Sequence, residues 1–134
     1  MYMSNAADNT GVGAYALCKN TLGCRNTAVG TSALCSNTTG LYNAALGRTA
    51  LVCNTTGCFN TASGYYALFC NTTSTQNTAV GGCSLYANTT GHSNVATGYQ
   101  ALKNNTTACN NTAVGKSALE ANSTGTANSA VGSR

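Results

Sequence analysis

A 17-residue repeat limits what this chain can fold into, because it recurs without insertion from Asn9 onward. The unit is N-T-A-V-G-x-x-A-L-x-x-N-T-T-G-x-x, and its positions are numbered 1 to 17 from the leading asparagine. Seven units are complete, and an eighth stops after seven residues at Arg134. Residues 1–8 precede the array as a lead-in segment or half coil. A short fixed period indicates units that bury apolar groups only by stacking on their neighbours, so residues 9–134 form one solenoid domain.

Glycine at position 5 and leucine at position 9 are invariant, and both predict the interior of the coil. Glycine at position 5 indicates positive φ or a close backbone approach, so we expect a bend there. These bend glycines are Gly13, Gly30, Gly47, Gly64, Gly81, Gly98, Gly115 and Gly132. Leucine at position 9 predicts an apolar core spine, namely Leu17, Leu34, Leu51, Leu68, Leu85, Leu102 and Leu119. Alanine dominates positions 3 and 8, which predicts a narrow interior.

The residue types favour strands and turns over helices. A repeat of two helices needs about 30 or more residues per unit, and Asn, Thr and Gly are poor formers of helix interiors. Position 4 is mostly β-branched, which suits a short strand. The sequence therefore predicts an all-β fold, a parallel β-solenoid (β-helix or β-roll) with about three sides and about eight rungs. At ~4.8 Å per rung, the rod would be about 35–40 Å long.

The variable positions hold all six basic residues, all eight cysteines and both phenylalanines. Six of the seven tyrosines also lie there. The constant positions are therefore expected to build the rod, and the variable ones to cover its exterior. The aromatic residues are either scattered surface groups or contacts with other chains or attached sugars, since contiguous exposed apolar patches usually mark an interface.

Two cysteine pairs share a position in adjacent units, Cys18 with Cys35 and Cys53 with Cys70. Stacked neighbours about 4.8 Å apart lie within the Cα separation of a disulfide, so each pair is a candidate bridge. The other four cysteines are Cys24, Cys58, Cys83 and Cys109. In an oxidising compartment these four are candidates for bridges between chains. The alternative is that some or all of the eight are free thiols.

Position 12 carries an N-glycosylation motif in six consecutive units. The acceptor residues are Asn37, Asn54, Asn71, Asn88, Asn105 and Asn122. Two interpretations compete: a ladder of stacked asparagine and threonine side chains at a corner, or a row of glycans along one edge. Asparagine ladders are common where identical segments stack, so we favour the ladder.

The segments NTAVG at 26–30, AL at 33–34 and NTTG at 37–40 carry a family resemblance. The chain resembles the NTAVGxxAL…NTTG repeat arrays of phage and algal-virus tail-fibre-like proteins and of bacterial surface proteins. More loosely, it is similar to the head repeats of trimeric autotransporter adhesins. The resemblance implies a parallel β-roll on a virion or cell surface, and the adhesin heads imply a trimer.

Catalytic residue types are scarce, since the chain has one histidine, His92, and two carboxylates, Asp8 and Glu120. On a stacked solenoid these three lie several rungs apart, so an acid–base pair or an activated nucleophile cannot be assembled. Repeated acidic calcium ligands and Cys-x-x-Cys zinc motifs are missing from the sequence. We therefore expect no enzymatic activity, no metal site and no cofactor.

The charge pattern predicts neither nucleic acid nor a membrane span. The formal net charge of +4 comes from scattered Lys and Arg residues, whereas nucleic-acid binding needs a basic patch. No apolar run reaches the length of a transmembrane helix. The first four residues lack the charged start and apolar core of a signal peptide, so export would require a signal already removed or another route.

The leading functional hypothesis is a structural fibre protein, extracellular or on a viral surface, that assembles with copies of itself laterally or end to end. The eighth unit stops in mid-coil, and the lead-in has about the length of the missing half. The two segments together hold 15 residues, close to one coil, so we expect head-to-tail stacking. The alternative is that the sequence is a fragment of a longer protein.

Two other functions remain open. Ice binding would use the threonine columns of positions 13 and 14, since small Thr-rich solenoids with disulfides can present regular hydroxyl arrays. The position-13 column is Thr21, Thr38, Thr55, Thr72, Thr89, Thr106 and Ser123. Adhesion to glycans or cells is the third hypothesis, and the sequence does not separate it from a pure spacer.

Overall fold

The structure, a computed structural model, describes residues 7–133 and is an all-β parallel solenoid. Each coil contributes one strand of three residues. The strands are β1 (Thr10–Val12), β2 (Thr27–Val29), β3 (Ala44–Leu46), β4 (Thr61–Ser63), β5 (Thr78–Val80), β6 (Val95–Thr97), β7 (Thr112–Val114) and β8 (Ser129–Val131). They form a single sheet in chain order, and the described residues contain no helix. The predicted fold class is confirmed.

The strand register reproduces the sequence repeat without a slip. Ala62 of β4 pairs with Ala79 of β5, and every other pair likewise joins the same position of adjacent units. Eight strands at ~4.8 Å per step extend about 34 Å along the axis. Only one side of the coil is a sheet, and the rest of each coil consists of turns and bends.

Alternation along the strand separates the core from the surface. The middle residue, at position 3, points inward and is fully buried in the six central strands, whereas positions 2 and 4 point outward. Alanine at position 8 and leucine at position 9 complete the core. Leu34, Leu51, Leu68, Leu85 and Leu102 have no exposed surface. The two outer members of the predicted spine, Leu17 and Leu119, are partly buried.

The position-5 glycines lie where the chain leaves the strand, with φ between 122° and 142°. At Gly64, a Cβ atom would come within 2.6 Å of the Gly81 carbonyl oxygen of the next coil. Both features named in the sequence analysis, positive φ and close backbone approach, therefore occur at this position.

Three further positions adopt left-handed backbone without glycine, which the sequence analysis did not predict. Positions 7, 9 and 17 have positive φ in every described coil, including the leucine spine at 48° to 53°. L-residues other than Asn and Asp rarely take this conformation. The compact turns of each coil thus depend on backbone geometry that the side chains alone do not favour.

Backbone hydrogen bonds outside the sheet also join successive coils, and they run in both directions. Leu34 N donates to Ala50 O of the following coil at 3.1 Å, and Ser32 N donates to Ala14 O of the preceding coil at 2.8 Å. Within one coil, Ala33 N donates to Gly30 O at 3.2 Å and closes the turn before the spine leucine. Each inner coil is therefore held by both neighbours.

Only Ala7 and Asp8 of the predicted lead-in are described, and both continue the solenoid. Ala7 O accepts a hydrogen bond from Arg25 N at 3.0 Å, as position 16 does in later coils. Asp8 has φ of 61°, like the residues at position 17. Residues 1–6 and Arg134 lie outside the described residues.

Candidate functional site: ladders and faces of the solenoid

The asparagines of position 12 form a buried ladder along the rod. Asn54 Nδ2 donates to Asn37 Oδ1 at 2.9 Å and to Gly57 O at 3.0 Å. Asn54 Oδ1 accepts from Asn71 Nδ2 at 2.8 Å. The same link recurs from Asn20 to Asn122. We call this chain of amides the position-12 ladder.

Of the two interpretations of position 12, this geometry agrees with the favoured one, the asparagine ladder. A glycan is joined to Nδ2, and here that nitrogen donates both to the preceding asparagine and to the turn carbonyl of its own coil. Asn37, Asn54, Asn71, Asn88 and Asn105 are fully buried. Asn122 is half-buried, and its Nδ2 donates to Asn105 Oδ1 at 3.1 Å and Gly125 O at 2.9 Å. In the folded chain, a glycan on one of these Nδ2 atoms would replace a hydrogen that the ladder uses.

A second ladder, at position 1, was not assigned any role from sequence. Asn60 N donates to Asn43 Oδ1 at 3.0 Å, and Asn60 Nδ2 donates to Ser74 O at 2.8 Å. The inner members of this column are also fully buried. The invariance of asparagine at position 1 was the available signal. Among the described residues, no buried side-chain N or O atom lacks a hydrogen-bond partner.

The hydroxyl groups of position 13 are also used inside the solenoid. Thr55 Oγ1 donates to Thr72 O at 3.1 Å, and the six such bonds run from Thr21 to Ser123. A hydroxyl that donates to a carbonyl of its own fold does not present that hydrogen to an outside surface. The position-13 hydroxyls therefore do not present their hydrogens to solvent, whereas the position-14 threonines named in the same hypothesis, such as Thr73, are exposed.

The cysteines divide into one bridge and several thiols. Cys18 and Cys35 form a disulfide between adjacent coils, with a Cα–Cα separation of 5.0 Å. Cys53 and Cys70 remain free thiols, so the second predicted pair is wrong for this structure. Burial raises the pKa of both thiols, and the neighbouring Cys53 raises that of Cys70 further. Disulfide formation begins from a thiolate, which a raised pKa makes scarce at neutral pH.

The four cysteines assigned to bridges between chains lie half-buried at the solenoid surface. Cys24 Sγ donates to Leu22 O at 3.3 Å. Cys58 Sγ accepts from Leu41 N at 3.3 Å, and Cys109 Sγ accepts from His92 N at 3.4 Å. Cys83 lies at position 7. Bridging between chains stays a prediction for this group.

Aromatic side chains stack along the outside in two groups. Tyr42 and Phe59 at position 17 are parallel, with centroids 4.9 Å apart. The Arg25 guanidinium lies 5.2 Å from the Tyr42 ring centroid and 3.7 Å from the carboxylate of Asp8. At position 17, side chains of successive coils therefore also contact one another along the axis.

The second aromatic group joins two central coils. Phe69 and Tyr86 at position 10 are parallel, with centroids 5.1 Å apart. Tyr66 meets both rings edge-on, at 4.9 and 5.9 Å, and contacts Tyr65. Partial burial is the main cause that raises the pKa of Tyr86. We call Tyr65, Tyr66, Phe69 and Tyr86 the aromatic cluster.

The strands present one uncharged face to solvent, formed by the side chains of positions 2 and 4, which we call the sheet face. Position 2 carries Thr10, Thr27, Ala44, Thr61, Thr78, Val95, Thr112 and Ser129. Position 4 carries Val12, Val29, Leu46, Ser63, Val80, Thr97, Val114 and Val131. No charged or aromatic residue occurs in either column. The β-branched residues of position 4 predicted a strand here, but which of its faces points outward did not follow from sequence.

The residues considered for catalysis or metal binding lie apart. Asp8 is paired with Arg25 at one end, His92 is exposed in a middle coil, and Glu120 lies near the other end. Within residues 7–133, no three His, Cys, Asp or Glu side chains are grouped so that they could hold a metal ion. The same part of the chain has no helix long and apolar enough to cross a membrane.

Comparison with protein-family models, with curated proteins and with solved structures finds no match. Function is therefore inferred from the ladders, the exterior groups and the sheet face.

Proposed function

We propose that this chain is a structural rod of an extracellular or virion-surface fibre, and that its partners are copies of itself. The observation that supports this proposal most is the continuity of the position-12 ladder. Amide-to-amide hydrogen bonds of 2.7 to 3.2 Å link Asn20 to Asn122 through every intervening coil. A continuous chain of hydrogen bonds along the axis makes the rod stiff in that direction, which is the property that a fibre needs.

Head-to-tail growth is supported by the two-way hydrogen bonding of the coils. Each inner coil donates to the following coil at some positions and to the preceding coil at others. The two faces of any coil are therefore complementary, and a further coil of the same sequence type would pair in the same register. Unpaired backbone groups at a solenoid face favour such addition.

Lateral association is supported by the exterior side chains. Tyr15, Phe59 and Tyr99 each expose at least half of their surface. Aromatic residues are enriched at protein interfaces, where they contribute a large apolar area. The thiols of Cys58, Cys83 and Cys109 lie at the surface, where a bridge to another chain needs little rearrangement. We propose these groups as the lateral contacts, in a dimer or a trimer.

Negative-stain imaging and sedimentation velocity over a rising protein concentration test the proposal. We expect elongated particles that lengthen with concentration, and lateral species that reductant disperses. Replacing Cys24, Cys58, Cys83 and Cys109 by Ser serves as a control, since it should remove the reductant-sensitive species and leave single rods intact. A compact monomer at every concentration, with or without an oxidant, would overturn the proposal.

A further inference from the structure

We infer that the sheet face is an ice-binding surface that acts through its two columns of threonine, valine and other small side chains. This inference does not depend on self-assembly, because a single solenoid already carries the complete face. It also assigns the interaction to side chains other than the threonines of position 13, whose hydroxyls are used internally.

The hydroxyl groups of position 2 are available to water. Thr27 and Thr61 are exposed, and Thr78 and Thr112 are half-exposed. None of these four side chains makes a hydrogen bond within the described residues, whereas the position-13 hydroxyls in the coils of Thr27, Thr61 and Thr78 donate to carbonyls. Each position-2 hydroxyl can therefore donate to and accept from water outside the fold.

The same face exposes methyl groups beside these hydroxyls. Val29, Val80 and Val114 at position 4 are 38%, 40% and 37% exposed. Threonine and valine are β-branched, so their side chains have few rotamers. In the coils of Thr27, Thr78 and Thr112, a hydroxyl at position 2 thus lies beside valine methyl groups at position 4, and this arrangement can order water without charge.

The array is periodic in two directions. Successive coils repeat each side chain at ~4.8 Å along the axis, and positions 2 and 4 are separated by ~6.6 Å along the strand. Underneath, the alanines of position 3 are fully buried, and the position-1 ladder fixes the strand at its start. A crystalline lattice of water can match a rigid two-dimensional array of side chains. Flexible charged side chains would disturb that match.

Ice fits this face better than a second copy of the chain does. The face measures about 34 by 10 Å, or roughly 340 Å², and a stable protein interface needs about 800 Å² per partner. The uncharged columns also offer no charge complementarity to select a protein partner. An ice surface extends past the face on every side, so the whole face is covered on contact.

Ser63 and Thr97 replace valine at position 4, and three further residues interrupt the pattern of hydroxyl beside valine. Ala44 and Val95 lack the position-2 hydroxyl, and Leu46 is larger than its neighbours in position 4 and 46% exposed. We therefore expect that replacing Ala44 by Thr and Leu46 by Val increases ice-binding activity.

Thermal hysteresis and ice recrystallisation assays on matched variants test the inference. Thr61 and Thr73 are exposed threonines of the same coil, the first on the sheet face and the second at position 14. We expect the unmodified protein to shape ice crystals and show hysteresis. The Thr61→Arg variant should lose most of the thermal hysteresis, and the Thr73→Arg variant should keep it. Circular dichroism melting verifies that both variants are folded.

Three results would overturn the inference. The first is an unmodified protein that shows neither hysteresis nor inhibition of recrystallisation at millimolar concentration. The second is an equal loss in both arginine variants. The third is a Thr61→Arg change that abolishes concentration-dependent association in sedimentation and leaves hysteresis unchanged, which would assign the face to a second copy. If Thr61→Arg fails to fold, the Ala44→Thr, Leu46→Val variant decides, since unchanged activity there contradicts the inference.

Discussion

The leucine at position 9 combines full burial with left-handed backbone, two properties that oppose each other energetically. A residue other than glycine in this conformation costs about 1–2 kcal/mol. Burying a leucine side chain contributes about 1.5–3 kcal/mol. Burial therefore slightly exceeds strain at Leu34, Leu51, Leu68, Leu85 and Leu102, each of which has no exposed surface. The leucine is retained there because its side chain fills the coil.

Replacing Leu68 by Asn should lower the free energy of unfolding by about 3–5 kcal/mol, because a core-sized apolar group is lost and a polar one is left unpaired. Leu46→Asn is the matched control, since that leucine is 46% exposed on the sheet face. Denaturant unfolding of both variants measures the difference. Similar stability of the two variants would contradict the assignment of position 9 to the interior.

Residues with left-handed backbone at half-exposed positions have the same steric strain as the leucines, but less burial of the side chain offsets it. Thr49 at position 7 is β-branched and has φ of 57°. Thr49→Gly should stabilise the chain by about 1 kcal/mol, because glycine takes this conformation without a steric cost. Thr31→Gly is the control, since Thr31 is exposed and does not have positive φ. Thermal melting should shift upward for the first variant and downward for the second.

The half-buried thiols of Cys53 and Cys70 predict a loss of stability in alkali. Because Cys53 and Cys70 have raised pKa values in the fold, the native chain keeps protons that the unfolded chain releases. Stability then falls as the pH rises past the ordinary thiol pKa of about 8.5. Urea unfolding under anaerobic conditions at neutral pH and at about pH 9.5 should show this fall. A variant with both cysteines replaced by Ala should show a smaller one, and an identical pH dependence would refute the role of these thiols.

At the scale of the coil, the two asparagine ladders replace the side-chain packing that a larger core would supply. The interior holds mainly alanine and leucine, so apolar burial per coil is small. Each inner asparagine instead satisfies backbone groups at a corner and the amide of the preceding coil. An unpaired buried group costs about 1–3 kcal/mol, so removing one member weakens both of its neighbours.

Asn54→Ala should therefore lower the free energy of unfolding by about 2–4 kcal/mol. The change leaves Asn37 Oδ1 without a donor and removes the Asn54 Oδ1 acceptor of Asn71 Nδ2. Asn104→Ala is the control, since the Asn104 side chain is exposed and lies outside both ladders. Equal unfolding midpoints for the two variants would show that the ladder does not contribute to stability.

The repeat alone was sufficient to predict the fold class, a short strand that includes position 4, the bend at Gly and the inward Leu, whereas only one of the about three expected sides is a sheet. These follow from period, residue size and β-branching, which act locally. The second ladder, the left-handed positions and the orientation of the hydroxyls did not follow. They depend on which backbone carbonyl each group meets in the adjacent coil, as Thr55 Oγ1 meets Thr72 O. Column invariance shows that a position matters and does not identify its partner.

At the scale of the whole molecule, sheet, turns and ladders all repeat with the same offset of one unit. Backbone pairing, amide ladders and the stacked rings of position 17 each join a residue to its equivalent in the next coil. The length of the solenoid should therefore depend only on the number of 17-residue units. The cross-section should not change when units are added.

Inserting four further copies of residues 60–76 after Gln76, and measuring the chain by small-angle X-ray scattering, tests this most directly. At ~4.8 Å per coil, the maximum dimension should increase by about 19 Å, and the cross-sectional radius of gyration should stay the same. A variant with an insertion of equal length in scrambled order is the control. Growth of the cross-section, or a length increase no different from that of the scrambled insertion, would contradict a solenoid in which each 17-residue unit is one coil.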